Sequence, residues 1–172
     1  MIYKALGSLF LLMAGGYLSV SVSRYQRRRL FVLDAYLSLI YHIKGQIDCY
    51  AMPLRDILAA VDPGLLAACL GSDDPRTALE LVPDLLATPE SPLPLLVRES
   101  RLYLEPETER LLTAFALELG ATHRIDQVAR CDHYITVLGE ERHRLLETLP
   151  TRIRVGSTLC LCAAAGAAVL LW

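Results

Sequence analysis

Nine side chains in this sequence could hold a metal or act as a nucleophile: Cys49, Cys69, Cys131, Cys160, Cys162, His42, His123, His133 and His143. No two cysteines form a Cys-x-x-Cys pair. Cys160 and Cys162 sit two residues apart, about 200° around a helix, so they cannot share a ligand. His123, His133 and His143 recur every ten residues, which sets successive imidazoles about 15 Å apart along a helix, too far for one metal ion. The cysteines therefore read as structural thiols. There is no Gly-rich phosphate loop, nucleophile elbow or His-Glu-x-x-His motif. Carboxylates such as Asp73 and Asp74 read as turn and cap residues rather than an acid/base pair. The expectation is a non-enzymatic protein with no catalytic residue, no metal and no cofactor.

The elements that must carry these residues follow from the charge distribution. The chain has 172 residues, of which 53% are apolar and 21% charged, a composition that argues against intrinsic disorder. All 19 acidic residues and 16 of the 17 lysines and arginines lie in residues 24–154, while residues 5–23 and 155–172 contain no charge at all. At 1.5 Å per residue each of these runs makes a helix of roughly 27 to 28 Å, the thickness of a bilayer hydrocarbon core. Arg24, Arg27, Arg28 and Arg29 follow the first run; Arg152 and Arg154 precede the second. Basic flanks stay cytoplasmic, so the sequence predicts two spans, residues 1–23 and 155–172, around a cytosolic domain of residues 24–154. A cleaved leader is the rival reading of the first run, with small residues at Ser19, Ser21 and Ser23; the four arginines directly after it oppose export. Gly15 with Ser19, Gly156 with Cys160, Cys162 with Gly166, and Ala163 with Ala167 repeat the small-xxx-small spacing of closely packed membrane helices. Trp172 fits an interfacial anchor. With 16 basic against 19 acidic residues, a formal −3, residues 24–154 argue against a broad basic face for nucleic acid.

The cytosolic stretch reads as all-α, a helical bundle. A helix over 27–50 carries Leu30, Leu33, Leu37, Ile40 and Ile47 on one stripe, widened by Tyr36, Ile43 and Tyr50. Leu54, Ile57, Leu58 and Val61 make a short second helix, and Asp62-Pro63-Gly64 a turn. Residues 65–70 form another apolar turn or two, stopped by Gly71. Asp74-Pro75 reads as an N-cap with proline at N1. The prolines of 83–94 predict an exposed, non-helical connector. Pro106, Glu107 and Glu109 open a helix whose buried face is Leu111, Leu112, Phe115 and Leu119, ended by Gly120. A long helix over 124–149 carries the stripe Val128, Cys131, Ile135, Leu138, Arg142, Leu145 and Leu149, with Asp126–Arg130 and Glu140–Arg144 as i,i+4 pairs.

This order of elements resembles the stage III sporulation protein AB family along the full length. Two motifs carry the resemblance. Ile47-Asp48-Cys49-Tyr50-Ala51-Met52-Pro53-Leu54 is similar to the family's Glu-Ile-x-Tyr-x-x-x-Pro-Leu element, and Leu119-Gly120-Ala121-Thr122-His123-Arg124-Ile125-Asp126-Gln127 to its Leu-Gly-x-x-Asp-Arg-x-x-Gln turn. Gln46 stands where the family favours Glu, the spacing from Ile47 to Tyr50 is one residue longer, and His123 replaces an Asp.

The resemblance implies a cytosolic domain like the repeated helical domain of type II secretion F proteins. It implies an assembly role in the channel complex between mother cell and forespore, with the domain on the mother-cell side of the forespore-surrounding membrane. It also implies partners: the stage III sporulation protein AA ATPase, other sporulation-channel proteins, and further copies of the chain. Gln46, Tyr50, Pro53, Leu54, Gly120, His123, Arg124 and Gln127 form the candidate partner surface. The bland reading of these residues is corner chemistry of a helical bundle, and the competing function is a membrane-tethered regulatory adaptor.

Overall fold

A computed structural model describes residues 2–50, 54–72, 74–76, 80, 92–119 and 123–170. Among these residues the structure is all-helical: α1 (Ile2–Tyr50), α2 (Leu54–Ala60), α3 (Pro63–Cys69), α4 (Pro92–Ser100), a 3₁₀ turn (Arg101–Tyr103), α5 (Pro106–Glu118) and α6 (Arg124–Leu170). The chain forms two compact units, Arg29–His143 and the pair Met1–Arg28 with Arg144–Trp172.

The Arg29–His143 unit is built on the amphipathic part of α1. Val32, Leu33, Tyr36, Leu39, Ile40 and Ile43 are each at most 2% exposed, and they occupy more than one stripe, so this helix is covered on two sides. Each such side chain contributes about 1.5–3 kcal/mol on burial. Tyr50 lies in phase with Ile43 but is 70% exposed, a departure from the expected stripe, because it is the last residue of its helix. Ile57, Leu58 and Val61 are buried from the α2 side, and Leu66 and Cys69 from α3.

Proline and glycine set the ends of α3. Pro63 occupies the first turn, and the Asp62 carbonyl accepts the Leu65 and Leu66 amides at 3.0 and 3.2 Å. At the other end Gly71 has φ +72°, its amide donates to Ala68 and the Ser72 amide to Ala67, a Schellman closure. A Cβ at Gly71 would also lie 2.5 Å from the Tyr103 ring, so glycine is required there twice over. The Asp74 carboxylate accepts the Arg76 amide at 3.0 Å, the bond expected of an N-cap.

The proline-rich connector is corrected in part. Residues 81–91 lie outside the described residues, but Pro92 and Pro94 open α4. The first amides of a helix have no intrahelical acceptor, so proline there removes nothing. Leu93, Leu96, Val97 and Ser100 then recur at i, i+3, i+4 and i+7 and are all at most 2% exposed. α5 begins with Pro106, and its Glu107 and Glu109 lie at the positive end of the helix. It ends at Glu118 with Leu119 as an extended C-cap; Gly120 lies outside the described residues.

α6 is longer than the 124–149 helix expected. It runs 47 residues, straight through Pro150, which removes the amide that would bond the Leu146 carbonyl. Cys131, Tyr134 and Leu138 form its buried seam in this unit, while Val128 and Ile135 are half-buried and Arg142 is exposed. Three ion pairs tie α6 to α1: Asp34–Arg142, Lys44–Asp132 at 2.6 Å and Asp48–Arg124 at 3.6 Å. The Asp132 hydrogen bond holds the Lys44 ammonium above its ordinary pKa. Arg130, expected to pair with Asp126, instead reaches Glu118 on α5 at 2.6 Å.

The other unit is an antiparallel pair of apolar helices. A Cβ on Gly15 would lie 2.5 Å from the Ala164 Cβ and 3.3 Å from the Cys160 carbonyl, and one on Gly156 would lie 2.9 Å from Val22 Cγ1. These two glycines let the backbones approach; Gly7, Gly16 and Gly166 have nothing within 4 Å of a built Cβ. Phe10, Met13, Tyr17, Leu18, Val155, Leu159 and Val169 point outward, between 52 and 78% exposed. Among the described residues one helix, Arg124–Val169, is long and apolar enough to cross a membrane, and only 6% of its most apolar window is buried within the protein. Gly15→Leu should push this pair apart and lower its stability by about 1–3 kcal/mol, the usual range for overpacking. Thermal unfolding in mild detergent checks this, with Gly16→Leu expected to leave the midpoint unchanged.

Candidate functional site: the α1–α6 corner

Among the described residues one ion pair joins the two motifs within the Arg29–His143 unit. Asp48, in the last turn of α1, pairs with Arg124, the first residue of α6. His123 precedes that helix, is exposed, and its carbonyl accepts the Gln127 amide at 3.0 Å, so it occupies the cap position. Gln46 and Gln127 are half-buried and Tyr50 is exposed. Pro53 and Gly120 lie outside the described residues, as does the side chain of Leu54.

Two exposed apolar residues lie outside the partner surface expected from the sequence. Ile125 is 81% exposed and Leu117, in the last turn of α5, is 67% exposed. The signal was present as phase. Leu117 stands about 200° from Phe115 and Ile125 about 180° from Tyr134, so each is an apolar side chain on the polar face of its helix. With Tyr50 they put three large apolar groups on an end framed by the Asp48–Arg124 and Glu118–Arg130 pairs.

The reactive side chains fall elsewhere. Cys49 and Cys162 are exposed and Cys160 half-buried, whereas Cys69 and Cys131 are buried. Burial pushes both buried thiols up, Cys131 to about 11, so they stay protonated at neutral pH. His123, His133 and His143 are exposed, and the Nε2 of His42 is buried without a hydrogen-bond partner. Among the described residues no three His, Cys, Asp or Glu side chains gather where they could hold a metal ion. Tyr36 and Ser100 share a buried hydrogen bond of 2.6 Å, and burial raises the Tyr36 phenol well above its usual pKa. A groove of about 420 Å³ opens between α1 and α6 beside Tyr41 and Gly139, but its one acid, Asp34, is bound to Arg142.

The basic flanks divide. Arg24, Arg27, Arg152 and Arg154 are exposed and Arg28 is half-buried. Arg29 differs from these: it is 9% exposed and its guanidinium lies 2.6 Å from Glu105, the residue that caps α5. No protein-family model, curated protein or solved structure matches the chain.

Proposed function

We propose that the protein is a non-enzymatic membrane assembly component, a hairpin of two spans that carries a cytoplasmic helical domain as the docking platform for a motor ATPase. The observation that carries this reading is the corner itself. Two motifs that begin 72 residues apart in sequence, at Ile47 and Leu119, are joined through Asp48 and Arg124, and Tyr50, Leu117 and Ile125 of the same helix ends are exposed. Apolar groups of this size on a polar rim are the usual composition of a docking surface. The outward apolar face of the Met1–Arg28 and Arg144–Trp172 pair supports placement in a bilayer, and its arginine flanks support a cytoplasmic central domain. The motif resemblance supplies the context: the sporulation channel of the stage III sporulation protein AB family, with the stage III sporulation protein AA ATPase as the motor.

The test is co-purification of the full-length protein with that ATPase from sporulating cells, in mild detergent. Recovery is expected for the native chain and should fall at least about tenfold in the Tyr50→Ala, Ile125→Asp double variant, a loss typical of removing interface anchors. Unchanged helicity by circular dichroism guards against misfolding. No recovery, with both proteins in one membrane fraction, would replace the platform by a regulatory adaptor.

A further inference from the structure

The division into two units separates charge far more sharply than the sequence runs do. Met1–Arg28 with Arg144–Trp172 contains six arginines and one lysine against a single carboxylate, Glu147, a formal +6. Arg29–His143 contains ten basic and 18 acidic residues, a formal −8. The positive charge is also concentrated in space. Gly15 faces Cys160 and Ala164 while Gly156 faces Val22, a register that sets Arg24 level with Arg154 and Arg27 close to that level. Arg24 stands about 180° around its helix from Gly15, and Arg154 about 200° around its own from Gly156. Both therefore point away from the seam, and with Arg27 on a flank the guanidiniums surround the helix pair. All three are exposed, and none makes an ion pair among the described residues. They adjoin the exposed apolar surface of Leu18, Val20 and Val155.

We infer that Arg24, Arg27 and Arg154 form a collar that binds the phosphate headgroups of anionic phospholipid. The inference rests on the membrane reading and adds a ligand to it. Guanidinium suits such a contact, because its planar fork takes two phosphate oxygens at once and gives up hydration readily. Arg29 belongs outside the collar because Glu105 already holds it, so the collar differs from the run of basic residues that the sequence alone would select.

The experiment is reconstitution of the full chain in equimolar phosphatidylglycerol and phosphatidylcholine at low salt. Detergent extraction and mass spectrometry then measure the lipid that remains bound. Phosphatidylglycerol should be enriched over the bulk, each collar arginine contributing about fivefold to headgroup association. Enrichment should fall to parity in the Arg24→Gln, Arg27→Gln, Arg154→Gln variant and persist in the Arg29→Gln, Glu105→Gln variant. Resistance to alkaline carbonate extraction is measured in parallel. A chain that carbonate releases loses both the membrane reading and the collar. A chain that resists but shows no enrichment, or keeps it without the three arginines, loses the collar alone.

Discussion

Arg29→Ala is expected to destabilise the Arg29–His143 unit by about 3 kcal/mol, the lower end of the range for breaking a buried ion pair by removing one partner. The Arg29 side chain is 10% exposed and that of Glu105 22%, with 2.6 Å between guanidinium and carboxylate. Without Arg29 the carboxylate loses its guanidinium partner in a poorly hydrated place, and its position at the positive end of α5 accounts for placing the loss at the lower end. The Arg29→Met, Glu105→Gln double variant leaves no uncompensated charge and should recover most of the stability. Urea unfolding of the full chain in mild detergent measures all three proteins. A loss below about 1 kcal/mol in the single variant would class the pair with solvated surface bridges.

Phe115→Ala should cost about 3–5 kcal/mol, the range for deleting a large aromatic from a packed interior. Phe115 is 2% exposed, and its ring meets Tyr134 edge-on with centroids 5.1 Å apart. Truncation removes both the buried area and the aromatic contact that holds α5 to α6. Leu117→Ala, two residues on and 67% exposed, should change stability by less than about 0.5 kcal/mol. The same unfolding experiment separates them: equal losses at the two positions would mean that α5 packs in a different rotation.

The contrast between these neighbours also measures how far the fold was legible in the sequence. Helices with a clear apolar phase were legible as elements: α2, α5 and the Leu33–Ile40–Ile47 face of α1 lie where the periodicity puts them, while α3 begins at Pro63, so that two residues of the expected Asp62-Pro63-Gly64 turn form its first turn. Proline was the less legible signal. Pro92 and Pro94 looked like breakers and are helix openers, because the first turn has no amide bonds to lose; the last long helix, expected to stop at Leu149, continues through Pro150.

Charge partners were the least legible, since a local rule saw only Asp126 beside Arg130, whereas the partner that Arg130 takes, Glu118, lies on another helix. The corner was half legible. Its motif residues stand out in the sequence, whereas the exposure of Leu117 and Ile125 is legible only from their phase against the buried seams of their own helices.

The ion pairs between α1 and α6 carry a consequence for how the chain finds its alignment. Along α1 the signs run acid, base, acid at Asp34, Lys44 and Asp48; along α6 they run base, acid, base at Arg142, Asp132 and Arg124. Any slippage of one helix along the other separates all three pairs at once, so the alternating signs favour the native register over slipped ones. Each bridge is partly exposed and weak by itself; together they act as a combination lock that adds to the register preference of the apolar seam.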